Sequence, residues 1–153
     1  MKSADPHMHT AEHILNQTMV RLLECGRCFS AHIEKKKSKC DYRVTAPPTP
    51  EDMRSIEEQV NRIIQANLAV STIMLSCADA ARAFSLERLP ANAGEAIRIV
   101  RVGDYDACPC RGEHVSHTGE LGVFRITSWD VNGDVLRIRY KLNRAPGRPM
   151  ESP

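Results

Sequence analysis

The chain has few aromatic residues and no long apolar run. Three Phe, three Tyr and one Trp in 153 residues make base stacking a minor theme in any contact with nucleic acid. No apolar run reaches the roughly 18 residues that a membrane-spanning helix needs. A secretory signal, with its charged and then apolar start, is also missing. We therefore expect a cytoplasmic, reduced protein, in which clusters of Cys and His favour metal binding over disulfides.

The net charge is small, and the chain has the length of a single domain. A formal net charge of +2 permits nucleic acid as a partner but predicts no large cationic surface. A chain of 153 residues is long enough for one domain with a buried core. We expect a single domain over residues 1–143 and a flexible C-terminal tail over 144–153, because the tail is rich in Pro, Gly and polar residues.

Hydrophobic spacing predicts a mixture of helices and strands. The helical segments are 10–24, 51–66 and 77–84, and the strand-like segments are 29–33, 39–45, 68–75, 96–102, 121–129 and 135–142. This order fits an α+β fold in which helices pack on one antiparallel sheet.

Three local signals mark the ends of these segments. Cys25-Gly26 is expected to stop the first helix, with Gly26 after its last turn. Thr49 and Pro50 provide an N-cap and a first-turn proline for the second helix. Asn132-Gly133 between the last two strands predicts a type I′ hairpin turn.

The segment HTAEH, residues 9–13, places two histidines four residues apart at the start of the first helix. His9 and His13 would lie about one turn apart on one face, as two ligands of one metal ion do. The same letters spell H-x-x-E-H, a zinc peptidase signature in which Glu12 would be the general base. That interpretation needs an acidic ligand from a later helix, and 51–66 is the acid-bearing candidate.

A second concentration of ligand types lies between two predicted strands. The segment 104–122 contains Cys108, Cys110, His114 and His117. Three residues separate Cys110 from His114, and one of them is Gly112, so the loop has the slack to turn both side chains onto one ion. Together with the two helix histidines they would form a His3Cys set, which suits zinc in ligand type and number.

The remaining cysteines allow several interpretations. Cys25 and Cys28 have C-x-x-C spacing, but no second C-x-x-C pair follows. They could form half of a separate zinc site, a redox pair, or small side chains packed in the interior. Cys77 is expected to belong to the core.

These motifs resemble one known family. HTAEH, FSAHIEKKKSKCDYRV, IEEQVN and CRGEHVSHTGELG, in this order from about His9 to Leu142, are similar to the editing domain of alanyl-tRNA synthetase and to its free-standing relatives, the AlaX proteins. The family's marks are H-x-x-x-H and a later C-x-x-x-H followed by T-G-x-[IL]-G, and all are present. The resemblance implies the editing-domain fold, called the second additional domain of alanyl- and threonyl-tRNA synthetases, in its short form. It also implies the zinc ligands His9, His13, Cys110 and His114.

The function implied by the resemblance is removal of a wrong amino acid from tRNA. The protein would hydrolyse, without ATP, the ester that joins serine or glycine to the 3′ end of alanine tRNA, and so protect the fidelity of translation. A synthetase pocket sized for alanine cannot strongly reject glycine or serine, so a second sieve is needed. Zinc would help by lowering the pKa of a bound water or by polarising the ester carbonyl.

The ligand count leaves alternatives open. Four protein ligands close a tetrahedral site, whereas a catalytic zinc usually keeps one position free. One ligand could be loosely held, the ion could accept a fifth ligand, or zinc could position the substrate through its amino group. A zinc-stabilised nucleic-acid-binding module without hydrolase activity would use the same four ligands.

Several further residues are candidates for the substrate site. Thr10 and Ser30 are candidates for hydroxyl contacts to the substrate, and Glu12 is the candidate base. The family's common C-G-G-T-H is C-R-G-E-H here, so Arg111 and Glu113 lie beside the metal ligands. Glu113 would either contact the α-ammonium group of the substrate or face solvent.

Basic side chains supply the candidates for tRNA contact. Lys35, Lys36, Lys37 and Lys39 lie at a predicted hairpin tip, where they could contact phosphates or simply be solvated. A second set recurs with period two on late strands and would form either one basic face for the acceptor stem or a solvated surface: Arg98, Arg101, Arg137, Arg139 and Lys141.

Overall fold

The computed structural model describes residues 5–83 and 96–143, which form three helices and seven strands. In chain order these are α1 (Pro6–Leu23), β1 (Ser30–His32), β2 (Ser38–Arg43), α2 (Pro50–Gln65), β3 (Val70–Ser76), α3 (Cys77–Ala83), β4 (Ala96–Val102), β5 (Asp106–Pro109), β6 (Val123–Asn132) and β7 (Val135–Asn143). A 3-10 turn over Thr118–Leu121 precedes β6. The predicted tail 144–153 lies outside the described residues. No helix among the described residues is both long and apolar enough to cross a membrane.

The strands form two antiparallel sheets, which confirms the α+β class. One sheet has the order β1-β2-β7-β6 and the other the order β3-β4-β5. The sequence predicted a single sheet, because local alternation shows that a segment is a strand but not which strand it pairs with. A bridge between Ala69 and His117 lies outside the strands, next to the start of β3.

The main core lies between α1, α2 and the four-stranded sheet. Its fully buried side chains come from both helices and from β2, β6 and β7, and include Ile14, Leu15, Met19, Ile56, Tyr42, Phe124, Ile138 and Tyr140. A smaller cluster of Ala80, Ile97 and Ile99 joins α3 to the three-stranded sheet. The apolar stripes that predicted the two long helices are therefore the faces that these helices bury.

The ends of α1 differ from the sequence prediction. The helix begins at Pro6, because the Asp5 carboxylate accepts a hydrogen bond from Met8 N at 3.0 Å and caps the first turn. It ends at Leu23, and Glu24 takes the left-handed conformation with φ 55°, a role that the sequence assigned to Gly26.

The start of α2 is as predicted. Thr49 Oγ1 accepts a hydrogen bond from Asp52 N at 3.0 Å, and Asp52 accepts one from Thr49 N at 2.9 Å. This reciprocal capping box satisfies two backbone N–H groups that an isolated helix end leaves unpaired.

The last hairpin is confirmed, but its turn is of another type. Asn132 pairs with Val135, so Gly133 and Asp134 are the two central residues. Only Gly133 has positive φ, at 65°, which fits a type II′ turn rather than type I′. The strand β5 was not predicted, since Asp106–Pro109 has neither apolar alternation nor β-branched residues and pairs with β4 through tertiary contact.

Candidate metal centre

The first pair of candidate ligands lies on the buried side of α1. His13 is 3% exposed and His9 is 16% exposed, and their ring centroids are 5.1 Å apart. Helical spacing of four residues puts both rings on one face, as the sequence predicted.

The second pair of candidate ligands, Cys110 and His114, comes from the loop after β5 and lies beside the first pair. Cys110 follows β5, and its Sγ lies 3.5 Å from both His9 Nε2 and His114 Nε2. Ligand atoms of sulfur and nitrogen on one tetrahedral zinc ion are separated by about 3.5 Å. The four ligand atoms of His9, His13, Cys110 and His114 all lie within 4.8 Å of one another. Their spacing and chemistry therefore fit one soft divalent cation.

The loop that carries Cys110 is packed against the ring of His9. A Cβ atom on Gly112 would overlap the imidazole of His9, so no larger residue fits there without movement. Gly112 N also donates to Cys110 Sγ at 3.4 Å. Arg98 donates from Nε to Cys110 O at 3.0 Å and from Nη2 to Gly112 O. Arg98 therefore fixes the loop from β4, which the sequence did not foresee.

Thr10 contacts the candidate ligand His114 at the ring nitrogen that does not face Cys110. Its side chain is fully buried, and its Oγ1 lies 2.9 Å from His114 Nδ1 and accepts a hydrogen bond from Val115 N at 3.2 Å. A hydrogen bond at Nδ1 leaves Nε2 free to face a metal ion. Ser30, the other hydroxyl candidate, is exposed on β1.

A second layer of polar groups surrounds His13. Its Nδ1 lies 3.3 Å from Cys108 Sγ and 3.6 Å from Asp106 Oδ2. Arg27 donates to both oxygens of Asp106, at 2.7 and 3.3 Å. This carboxylate and its arginine orient the imidazole, as second-layer partners of metal ligands do. Neither Asp106 nor Arg27 was predicted from the sequence, although an acid two positions before Cys108, in a segment rich in ligand types, is a signal that points to Asp106.

The local charges shift the pKa values of the ligands in opposite directions. Burial raises the pKa of Cys110, but contacts with His114, His13 and His9 lower it to about 3, so the side chain is a thiolate. Burial lowers the pKa of His13, but hydrogen bonding to Asp106, Cys108 and Cys110 raises it well above its ordinary value. In the metal-free protein a His13 imidazolium thus balances the thiolate, and a divalent cation would replace that proton.

One ligand candidate has an unsatisfied polar atom. Among the described residues, His9 Nδ1 is the buried side-chain nitrogen or oxygen that lacks a hydrogen-bond partner. Burial also lowers the pKa of His114. A neutral imidazole is the form that binds a metal, so the donor set suits a cation.

Glu12 lies beside the cluster. Its Oε1 is 3.6 Å from His9 Nε2 and 4.0 Å from His13 Nε2. Its Oε2 accepts hydrogen bonds from Asn16 Nδ2 and Cys28 Sγ, each at 3.3 Å. One oxygen is therefore fixed, and the other faces His9 and His13.

The other sequence candidates lie around this centre or away from it. Arg111 and Glu113 are exposed on the ligand loop. Lys35, Lys36 and Lys37 are exposed at the turn between β1 and β2, and Lys39 is half-buried in β2. His117 caps the 3-10 turn and is not one of the four clustered ligands. Cys77 is exposed, so its predicted place in the core is wrong.

The predicted basic face is not a single surface. Arg98 and Arg101 belong to the three-stranded sheet, whereas the other three cations of that set lie on β7 in the four-stranded sheet. Arg137 pairs with Asp41 at 2.8 Å, and Arg139 pairs with Asp130 at 2.9 Å. Arg137, Arg139 and Lys141 have period-two spacing and share one face of β7, but Arg98 and Arg101 are three residues apart and so lie on opposite faces of β4. Spacing also could not show that the two strands belong to different sheets.

The acidic ligand required by the peptidase interpretation is not found in the cluster. Glu57 of α2 accepts a hydrogen bond from Ile126 N at 2.8 Å, which directs it to β6. None of the metal-capable groups among the described residues contains an acid from α2. The H-x-x-E-H letters therefore coincide here with a different ligand set.

The chain is similar to known proteins that, by their names, act on tRNA. Residues 97–139 match the family described as the threonyl and alanyl tRNA synthetase second additional domain. An alanine–tRNA ligase of Coxiella burnetii is 31% identical over 121 residues, which are 78% of this chain and 14% of the ligase. An alanine–tRNA ligase of Salinispora tropica is 32% identical over 130 residues, 84% of this chain and 15% of the ligase. The chain spans about one seventh of the length of these curated relatives.

Proposed function

Because the chain belongs to the family of the threonyl and alanyl tRNA synthetase second additional domain, we propose that it is a zinc-dependent editing hydrolase. Its substrate would be alanine tRNA that carries serine or glycine, and its reaction would be hydrolysis of the aminoacyl ester. It would act in trans, as the AlaX proteins do, and in the cytoplasm. All six cysteines are free thiols, which suits a reducing compartment.

One observation carries the proposal: the convergence of four metal-ligand side chains within a family whose relatives handle alanine tRNA. His9 and His13 come from α1, and Cys110 and His114 come from the loop after β5. We assign these four as the zinc ligands. Bound there, zinc would supply Lewis-acid chemistry at the ester and help to activate water near neutral pH.

Glu12 is proposed as the general base. Its Oε1 lies 3.6 Å from His9 Nε2 and 4.0 Å from His13 Nε2, and would accept a proton from the attacking water. The same oxygen would then return that proton to the ribose oxygen as the ester bond breaks. Asn16 and Cys28 hold the opposite oxygen, so the carboxylate keeps its orientation through both transfers.

Thr10 is proposed as a positioning residue, because it is buried against His114. Contact with the bound amino acid would fall to the exposed Ser30, Arg111 and Glu113. Glu113 is negatively charged and would attract the α-ammonium group of the substrate. The family's common C-G-G-T-H segment has no charge at this position. The residues of this chain, and not the family pattern, would therefore determine which amino acid is removed.

Recognition of tRNA would depend on phosphate contact. The exposed lysines 35–37 at the β1–β2 turn, with Lys39, offer a compact positive tip. Few aromatic side chains are available for base stacking, which favours contact with the backbone and shape of the acceptor end.

The direct test is deacylation of alanine tRNA charged with serine, glycine or alanine. We expect hydrolysis of at least one mischarged form, sparing of the correct one, and a decrease in activity of about 100-fold or more in a Cys110→Ala, His114→Ala variant. The matched control is Cys77→Ala, His117→Ala, which removes the same residue types from exposed positions outside the cluster.

The alternative is a zinc-stabilised binding module, which the closed four-ligand set favours. A folded, zinc-loaded protein that spares all three charged tRNAs would contradict the hydrolase proposal. If chelation then unfolds the protein, as circular dichroism would report, the zinc has a structural role.

A further inference from the structure

A second group of ligand types lies next to the candidate zinc centre and uses two cysteines left outside it. Glu12, Cys28 and Cys40 each offer a ligand atom, and these atoms lie within 4.8 Å of one another. Both cysteines are 0% exposed. Cys28 lies just before β1, and Cys40 lies within β2. Pairing of these two strands brings the two thiols close to each other and to Glu12 on α1.

The sequence suggested a half-site at Cys25 and Cys28, but the fold selects other partners. Cys25 directs its Sγ to Met19 O at 3.7 Å, within the segment where α1 ends. Cys28 directs its Sγ to Glu12 Oε2 at 3.3 Å. Sulfur and oxygen ligands on a tetrahedral ion are separated by about 3.5 Å, so this pair already has nearly the spacing of two ligands.

We propose that Glu12, Cys28 and Cys40 form a second site for a thiophilic divalent cation, and that Glu12 links it to the His9 and His13 centre. Glu12 Oε2 would bind the second cation while Oε1 stays turned to the histidines. Two thiolates and one carboxylate are a ligand set that selects zinc or a similar cation over magnesium or calcium. Three protein ligands would leave one position for an exchangeable ligand.

The contacts around the carboxylate support a cation here. Oε2 accepts hydrogen bonds from Asn16 and Cys28, which are both neutral donors. These donors bring no positive charge to Oε2, whereas a bound cation would.

A third group of metal-capable residues serves as the internal comparison. His13, Asp106 and Cys108 also lie within 4.8 Å of one another. There, however, Arg27 donates to both Asp106 oxygens and to Cys108 Sγ at 3.4 Å. The guanidinium of Arg27 already supplies positive charge to Asp106 and Cys108, so a metal ion is not required to balance their charge. At Glu12 Oε2 the donors are instead an amide and a thiol, which bring no positive charge.

The experiment is a titration of the reduced, metal-free full chain with cobalt(II), followed by the thiolate-to-cobalt charge-transfer absorption. We expect two equivalents to bind to the wild-type protein. A Cys110→Ala, His114→Ala variant should keep one equivalent with a thiolate band. Adding Cys28→Ser and Cys40→Ser should abolish that band, whereas adding Cys25→Ser or Cys108→Ser should leave it in place.

A second measurement uses the wild-type protein, so its result does not depend on whether the variants fold. X-ray absorption of the zinc-saturated protein should find three sulfur ligands shared between two zinc ions. One equivalent of metal with one sulfur ligand would overturn the inference. So would a band in the Cys110→Ala, His114→Ala variant that survives removal of the Cys28 and Cys40 thiols.

This inference and the proposed function fail separately. Deacylation with a single bound equivalent would leave the editing function in place and remove the second site. Two bound equivalents without deacylation of any charged tRNA would do the reverse.

Discussion

At the scale of single residues, the candidate centre is held by side chains that do not themselves belong to the ligand set. Thr10 holds His114, Asp106 and Cys108 hold His13, and Arg98 holds the loop of Cys110. Such second-layer contacts fix the orientation of a ligand before the metal arrives, which reduces the entropic cost of binding.

Substitution of Asp106 by Asn tests the layer behind His13. The change keeps the side-chain shape but leaves Arg27 without its buried counter-ion, so we expect the free energy of unfolding to fall by about 3 kcal/mol. Urea denaturation with a double-mutant cycle that includes Arg27→Gln measures the coupling. Asp104→Asn is the control, because Asp104 is fully exposed. Additive effects in the cycle would show that the ion pair contributes nothing.

Substitution of Thr10 by Val separates two roles for its hydroxyl. If Thr10 orients His114, zinc affinity measured by chelator competition should fall by about 10- to 100-fold. Thr127→Val on β6 is the control, because that hydroxyl is exposed and bonds to Arg139 O. An increase in KM at unchanged zinc affinity would instead support the direct substrate contact predicted from the sequence.

At the scale of elements, α1 is the central piece of the candidate centre. One face of it carries His9, Glu12, His13 and Asn16 at helical spacing. The partners of this face come from β5, the loop that follows it, the segment just before β1, and β2. The second helix contributes to the fold rather than to the chemistry, since its buried face packs in the main core.

Removal of the α2 cap should therefore change stability and not metal binding. Thr49→Ala deletes the hydroxyl that accepts from Asp52 N, and we expect the free energy of unfolding to fall by about 1 kcal/mol with an unchanged dependence on denaturant. Ser55→Ala, at an exposed position within the same helix, is the matched control. A decrease in zinc affinity in Thr49→Ala would contradict this separation of fold from site.

At the scale of the whole molecule, the proposed tRNA substrate would reach the centre over a surface of nearly balanced charge. The net charge is +2, and Arg137 and Arg139 are paired with acids, so attraction of tRNA would depend on local clusters of cations. The lysine tip between β1 and β2 is the most compact of the sequence candidates.

Replacement of Lys35, Lys36 and Lys37 by Ala tests this tip. We expect weaker tRNA binding, and the slope of log affinity against log salt should fall by about 0.7 to 0.9 for each phosphate that is no longer neutralised. Hydrolysis of a small aminoacyl ester should be unchanged, because the substitutions lie outside the metal cluster. Arg54→Ala, Arg62→Ala and Arg125→Ala together, all at exposed positions, provide a control with the same change in charge. Equal effects of both triple variants would show that only net charge matters.

Two features of this protein were predictable from the sequence alone: the long helices and the two motifs whose four side chains cluster as candidate ligands. Helical periodicity and a capping box are local, so Thr49, Pro50 and the apolar stripe of α2 were sufficient to locate it. The H-x-x-x-H and C-x-x-x-H motifs are likewise short, and each half of the cluster lies within one turn or one loop.

Only the tertiary structure decided how these local pieces combine. The division of the strands into two sheets, the approach of Gly112 to His9 and the burial of Asp106 against Arg27 all join residues far apart in the chain. The partner of Cys28 is Cys40 rather than Cys25, because strand pairing and not sequence spacing sets which thiols meet. Local patterns indicate which secondary structure each segment favours, whereas long-range contacts depend on the packing free energy of the whole chain.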